Sequence, residues 1–405
     1  MILMPDVQKT AADEARTRAR PIAAWLLEDE RIKSSRTTIL LDLYVRRLID
    51  AGLPIDRATL HIQQLHPQLG ARTVLWEREA GGAVETGLDH RVRHAPAFIN
   101  SPVKRMYDGC PAIRRRLEDP DCQMDFPILS DLKEKGLTDY TMRPIAFGSG
   151  VVNALSLATL RPGGLTDHDL ALVDATLPAF GAVLELRQLH RTARDLLSTY
   201  VGPNTGERIF NGAIRRGDGQ MIYAVIWYCD LRGFTSFSED RPLDEVIAVL
   251  NAYFDRMAEP VVARGGEILK FIGDAMLAIF PCEATCESKV GIADNAVAAA
   301  EAAIAGVAEL NETRGRDGKP PIECGVALHI GEVMYGNIGA ADRLDFTVIG
   351  PAVNLVSRLE PICVTLDYPL VASASLAHIS QYEFRPLGRH SLKGIAEPQE
   401  VFTLA

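Results

Sequence analysis

Apolar residues recur at Ile39, Leu40, Leu43, Val45, Leu48 and Ile49, the three-and-four spacing of one helix face, which predicts a helix from Thr37 that ends near Gly52 and Pro54. Two strand-like runs follow, Ala58 to His66 and Ala71 to Glu77, with Pro67 and Gly70 in the turn between them. From Gly81 to Lys135 the chain is rich in Pro, Gly and charge and has no clear period. Tyr140 to Phe147 and Val151 to Leu160 then predict a hairpin around Gly148 and Gly150, before a turn at Arg161 to Gly164. Helix, strands, irregular segment, hairpin and helix in that order describe a small antiparallel sheet flanked by helices.

The closing helix is predicted to be capped by Thr166, with Asp169 three residues on in an acidic variant of the capping box. Its residues Ala175, Ala179, Ala182, Leu186, Leu189, Ala193, Leu196 and Tyr200 step by four and three, the seam of a parallel coiled coil. Pro178 is expected to kink this helix, so the seam is read from Ala182 onward. Two readings stand side by side: a dimeric signalling helix, or a helix packed on its own domain. Gly202, Pro203, Asn204 and Gly206 mark a boundary at its end.

The C-terminal half alternates strands and helices. A buried-strand run, Ala224 to Cys229, ends in Asp230-Leu231-Arg232-Gly233-Phe234-Thr235, and a carboxylate before a glycine turn can hold a cation beside phosphate-cradling N–H groups. A helix with Val246, Val249, Leu250, Tyr253, Phe254 and Met257 on one face leads to two apolar strands flanking Gly273 and Asp274. Paired carboxylates at adjacent strand ends suit a two-metal site, although a lone aspartate in a turn is more often a cap. Further on, Cys324 to Ile330 is a strand. Asn354 and Arg358 are four apart on a following helix and so share a face, where an amide and a guanidinium can reach one ligand. Arg358 could instead serve only as an ion-pair partner of Glu360 or Glu332.

The chain has 405 residues, which is long for one hydrophobic core and suggests two domains with a connector. Its composition is 47% hydrophobic with a formal charge of −10, so non-specific attraction to nucleic acid or to an anionic membrane is not expected. The first twenty residues place charges where a signal peptide needs an apolar core, and the alanine-rich stretch Val290 to Leu310 is interrupted by Asp294, Asn295 and Glu301. A cytoplasmic protein without a membrane anchor is therefore expected. Seven scattered cysteines fit a reducing compartment; Cys282 and Cys286 resemble half of a metal site whose second half is missing.

Taken together, the motifs from Asp230 through Asp274, Asn354 and Arg358 to the terminal Arg385-Pro386-Leu387-Gly388-Arg389-His390-Ser391-Leu392-Lys393-Gly394-Ile395 resemble the catalytic domain of class III nucleotidyl cyclases, over about Ile222 to Leu404. The resemblance implies a ferredoxin-like, palm-like α/β (α+β) domain. It implies Asp230 and Asp274 as ligands of two divalent ions, Mg²⁺ or Mn²⁺, with the Leu231 carbonyl added, and Phe234 and Thr235 in the phosphate-cradling turn. Lys270 and Thr347 match the purine-reading pair, Asn354 and Arg358 the pair that positions ribose and stabilises the transition state, and Lys393 and Arg343 triphosphate contacts. Relatives selective for guanine usually carry Glu and Cys at the purine pair, so Lys and Thr imply ATP as substrate and cyclic AMP as product. The Lys and Thr combination also resembles a subgroup with bicarbonate-responsive members. Pro351 departs from the Asp that many relatives have there. A complete set in one chain implies a homodimer with two composite sites. The alternatives are a catalytically silent dimeric regulator, which a missing Asp, Asn or Arg would favour, and a guanylate or diguanylate cyclase, the latter suggested only by Gly265-Gly266-Glu267.

Residues 37–190 resemble, in pattern, a GAF sensor domain, without the Asn-Lys-Phe-Asp-Glu set of cyclic-nucleotide-binding members; a dimerising module without ligand is the competing reading. The expected organisation is an extension over 1–36, a GAF-like module over 37–180 with an unidentified small-molecule ligand or signal, a coiled-coil linker over 181–206 and the cyclase domain over 207–405.

Overall fold

The computed structural model describes residues 5–29, 35–64, 69–282 and 286–405, and the predicted turn at Pro67 lies outside them. The chain divides into two compact units, Met1–Leu196 and Leu197–Ala405.

The first unit is built on a six-stranded antiparallel sheet in the order β3-β2-β1-β6-β5-β4, comprising β1 (Arg57–Gln63), β2 (Leu69–Glu77), β3 (Gly82–Asp89), β4 (Ile113–Arg116), β5 (Asp139–Ala146) and β6 (Val152–Thr159). Alternation in β1 directs Ala58, Leu60 and Ile62 into a core shared with three helices, α1 (Pro5–Glu28), α2 (Thr37–Asp50) and α3 (Asp167–Val201). Tyr44 of α2 stacks on Phe180 of α3 with ring centroids 4.2 Å apart, and its hydroxyl lies 2.7 Å from the Thr176 hydroxyl. The segment expected to be an extension is part of this core: Ala19, Ile22 and Leu26 of α1 are buried with Leu40, Tyr44 and Phe180. Its apolar stripe is short and set among Arg and Glu, so the burial depends on α2 and α3 being there to cover it.

The predicted capping box forms, with the Asp169 N–H donating to Thr166 Oγ1 at 3.2 Å and the Thr166 N–H donating to Asp169 Oδ2 at 2.8 Å. Helix α3 runs continuously through Pro178. The helix packs on its own unit along one face and leaves another uncovered. Leu172, Val173, Leu177, Phe180, Val183 and Leu184 pack into the unit, whereas Leu186, Leu189 and Tyr200 of the heptad seam are 44%, 59% and 78% exposed.

The second unit begins earlier than the predicted boundary and includes a short helix, α4 (Pro203–Phe210). Its sheet runs β13-β14-β12-β10-β7-β9-β8, with β11 attached to β10; the strands are β7 (Gly219–Leu231), β8 (Glu267–Ile272), β9 (Ala275–Cys282), β10 (Cys324–Gly339), β11 (Leu344–Ile349), β12 (Leu370–Ser373), β13 (Phe384–His390) and β14 (Gln399–Leu404). One face is covered by α5 (Leu243–Ala263) and α6 (Cys286–Arg316), through Val249, Tyr253, Met257, Ala296, Val297 and Ala300. Within α6, Ser288–Arg316 is long and apolar enough to cross a membrane, yet its alanine face is core. The other face is covered by α7 (Pro351–Leu366), through Val356, Leu359, Ile362 and Cys363. Helix α4 is tied to the sheet by the buried Glu267 carboxylate, which accepts from Thr205 N (3.0 Å), Thr205 Oγ1 (2.7 Å) and Tyr335 OH (2.9 Å). Hydrogen bonds to a charged group contribute about 1.5–3 kcal/mol each, so this anchor is strong for so short a helix.

Candidate active site

Asp230 is the penultimate residue of strand β7; Gly233 then turns the chain with φ +67° into the short helix Phe234–Glu239, so Phe234 and Thr235 open that helix just after the carboxylate. Asp274 follows Gly273, whose φ of +66° makes the tight β8–β9 turn that an L side chain rarely adopts. Because β7 and β9 are neighbours, the two aspartates meet. Asp230 Oδ1 accepts from the Leu231 N–H at 3.0 Å. Its carboxyl is raised to about 7, first by burial, then by a hydrogen bond to Asp274 and by the charges of Asp274 and Glu360. Glu360, 5% exposed, is itself raised by burial and by Asp274, against the opposing charge of Arg232. Arg232 is largely spent on the end of α7, donating to the carbonyls of Cys363 (2.9 Å) and Tyr368 (2.8 Å) and to Asp367 (3.1 Å).

A second group forms where β8 and β11 approach. Lys270 Nζ lies 3.8 Å from Asp345 Oδ2. Thr347 is on the same face of β11 as Asp345, is 5% exposed, and its hydroxyl has no hydrogen-bond partner. A buried unpaired hydroxyl costs about 1–3 kcal/mol, which a ligand can recover. Lys270, Phe271, Asp345, Phe346, Tyr200 and Val201 line a cleft of about 440 Å³, and Thr347 is not among its lining residues.

The third group is on α7. Asn354 and Arg358 are exposed on one face, and among the described residues Arg358 makes no ion pair, so the pairing with Glu360 or Glu332 does not form. Glu360 is two residues past Arg358, about 200° around the helix, and is buried on the opposite side. Pro351 occupies the first turn, where its missing N–H is an orphan in any helix. Arg343 and Lys393 are exposed, one in the β10–β11 turn and the other after β13, and neither makes an ion pair among the described residues.

Asp230 meets Asp274, Asn354 and Arg358 share one helix face, and Lys270 lies against Asp345, two residues from Thr347 on the same strand. The sequence reading gave Asp345 no role and Glu360 only that of an ion-pair partner of Arg358. For Asp345 a signal existed, since it is two residues from Thr347 and shares its face; for Glu360 none did beyond its proximity to Arg358.

A family model described as the adenylate and guanylate cyclase catalytic domain matches residues 220–405. Adenylate cyclase 1 of Rhizobium meliloti is 32% identical over 179 residues, 43% of this chain, and the adenylate cyclase of Anabaena cylindrica is 38% identical over 140 residues, 34% of this chain. The matched stretch spans 26% of the length of each of these relatives. Among solved structures, an adenylyl cyclase from P. aeruginosa is 26% identical with a TM-score of 0.42, covering 46% of this chain and 96% of its own. With the motif order and the mixed sheet that carries it, the second unit over residues 220–405 belongs to the adenylate and guanylate cyclase catalytic-domain family.

Proposed function

We propose that the chain is an adenylate cyclase that converts ATP to 3′,5′-cyclic AMP and pyrophosphate at two composite sites of a homodimer. The observation that carries the composite site is the geometry of α7. Glu360 faces the strand that bears Asp230, while Asn354 and Arg358 project from the opposite, exposed face. One protomer therefore directs its amide and guanidinium away from its own carboxylate pair, and a second copy is needed to bring both sets to one nucleotide. The exposed heptad seam of α3 supports the same parallel pairing.

The donor set fits hard divalent cations. Two carboxylates and the Leu231 carbonyl are oxygen ligands of the kind Mg²⁺ and Mn²⁺ take, and the raised Asp230 carboxyl is that of a partly buried acid pair short of positive charge. Bound there, the cations would supply Lewis acidity to the ribose 3′-hydroxyl and the α-phosphate. Phe234 and Thr235 place backbone N–H groups toward the phosphates, with Lys393 and Arg343 as further cations for the triphosphate. Asn354 of the partner copy orients the ribose, and the partner copy's Arg358 donates to the oxygens on the α-phosphorus as charge builds. In the step itself a bond forms between the 3′-oxygen and the α-phosphorus, the bond to the bridging oxygen breaks, pyrophosphate leaves with that electron pair, and the hydroxyl proton is released.

Adenine is favoured by the second group. Lys270 offers a donor to purine N1, and the unpaired Thr347 hydroxyl can accept from a 6-amino group, whereas guanine would set its own N1–H against the ammonium. Purified full-length protein should form cyclic AMP from ATP with Mn²⁺ or Mg²⁺ and form little cyclic GMP from GTP. Binding of ATP without turnover would instead favour a silent regulator.

The first unit is read as a GAF-like sensor acting on the cytoplasmic enzyme, with an unidentified small molecule as its signal. Helix α3 links the two units, and a composite site loses rate steeply once its halves are misplaced by about an ångström. Inserting one residue near Thr192 turns the following helix by roughly 100°, while seven nearly restore the register. Cyclic AMP formation across a ladder of one to seven insertions should therefore fall and recover; a flat ladder would make the helix a tether.

A further inference from the structure

Glu360 is a buried carboxylate that none of the roles above uses. It projects from the inner face of α7 onto Gly325 of β10. Gly325 is paired directly across from Asp230, on the same face of the sheet. A Cβ at Gly325 would run into Glu360 Oε1 and would come within 2.9 Å of Cys363 Cβ. The missing side chain at Gly325 is therefore what lets the Glu360 carboxylate sit beside Asp230. The nearby Arg232 is already held by the carbonyls of Cys363 and Tyr368 and by Asp367. Glu360 thus feels one fixed guanidinium, which favours its charge, and the Asp274 carboxylate, which opposes it.

We propose that Glu360 is a positioning residue of the divalent-cation site: a third carboxylate, seated in the gap left by Gly325, that sets the field behind Asp230 and Asp274 and so strengthens their hold on the metal ions. The inference rests on the two-metal reading of the aspartate pair. A buried carboxylate near two others is costly in the metal-free protein despite Arg232, and bound cations would offset that cost. Groups behind the ligands commonly change metal affinity by 10–100-fold, which makes the effect measurable.

The test is Mn²⁺ binding to the full-length chain without nucleotide, followed by the electron paramagnetic resonance signal of free Mn²⁺. Glu360→Gln keeps the shape and removes the charge, and should weaken Mn²⁺ binding about tenfold or more. Thermal unfolding in EDTA should show the variant no less stable than the parent, because an amide in that pocket no longer opposes Asp230 and Asp274. A merely structural glutamate would give the reverse pattern, with stability lost in EDTA and Mn²⁺ affinity unchanged. Gly325→Ala is a second probe that leaves every carboxylate in the sequence; by displacing Glu360 it should weaken Mn²⁺ binding in the same direction. Asp274→Asn separates the two claims. If Asp274→Asn binds Mn²⁺ as the parent does, the two-metal reading fails. If it loses binding while Glu360→Gln keeps it, the metal site stands and the role of Glu360 is overturned.

Discussion

Asp274→Ala is expected to abolish cyclic AMP formation while leaving the fold and the dimer in place, and Asp230→Ala to do the same. Neither side chain fills the core, and both carboxylates are partly exposed. Losing the cations proposed for them would remove several kcal/mol of charge stabilisation in the transition state, about a thousandfold or more in kcat. Asp230 is raised first by burial and then by Asp274, so removing either carboxyl relieves an unfavourable buried pair, and thermal unfolding without metal should shift little or upward. Residual turnover within tenfold of the parent would overturn the assignment.

The same variants test the composite site. A dimer of one Asp274→Ala chain and one Arg358→Ala chain has one site with both lesions and one with none. Random mixing makes half of the dimers heterodimers, so roughly one quarter of the parental activity should return from two inactive preparations. If heterodimers form and no activity returns, Arg358 does not serve the partner's carboxylates.

Replacing the purine pair should redirect the enzyme. Lys270→Glu with Thr347→Cys exchanges a donor for an acceptor opposite purine N1 and removes the buried hydroxyl aimed at the 6-substituent. Each mispaired group costs about 1–3 kcal/mol, so the ratio of kcat/KM for ATP over GTP should fall by roughly 10²–10⁴. Asp345 sharpens this expectation, because its carboxylate, 3.8 Å from the Lys270 ammonium, would repel a glutamate placed there. The double variant should therefore gain GTP turnover more fully with Asp345→Asn added. An ATP preference that survives all three changes would mean that the purine is read elsewhere.

The sequence by itself determined the features that short stretches of chain encode. Two strand-like runs around Gly148 and Gly150 predicted the β5–β6 hairpin, glycine turns after Asp230 and before Asp274 located both carboxylates at strand ends, and a three-residue spacing predicted the Thr166–Asp169 capping box. Asn354 and Arg358 were placed on one face by helical period alone. Each depends on hydrogen bonds or steric limits within a few residues, which is why local pattern suffices. Tertiary structure decided the rest. Whether α1 is an extension or part of a core depends on Tyr44 and Phe180, far along the chain, meeting its apolar stripe. Which face of α3 is buried depends on the sheet beneath it, and the heptad seam turned out to be the exposed face. The Glu267 anchor joins residues 62 and 68 positions apart, from Thr205 and Tyr335. Glu360 meets Asp230 only because strand pairing sets a glycine opposite it. Such contacts are fixed by the packing of whole elements against one another, and no period or turn near the residue announces them.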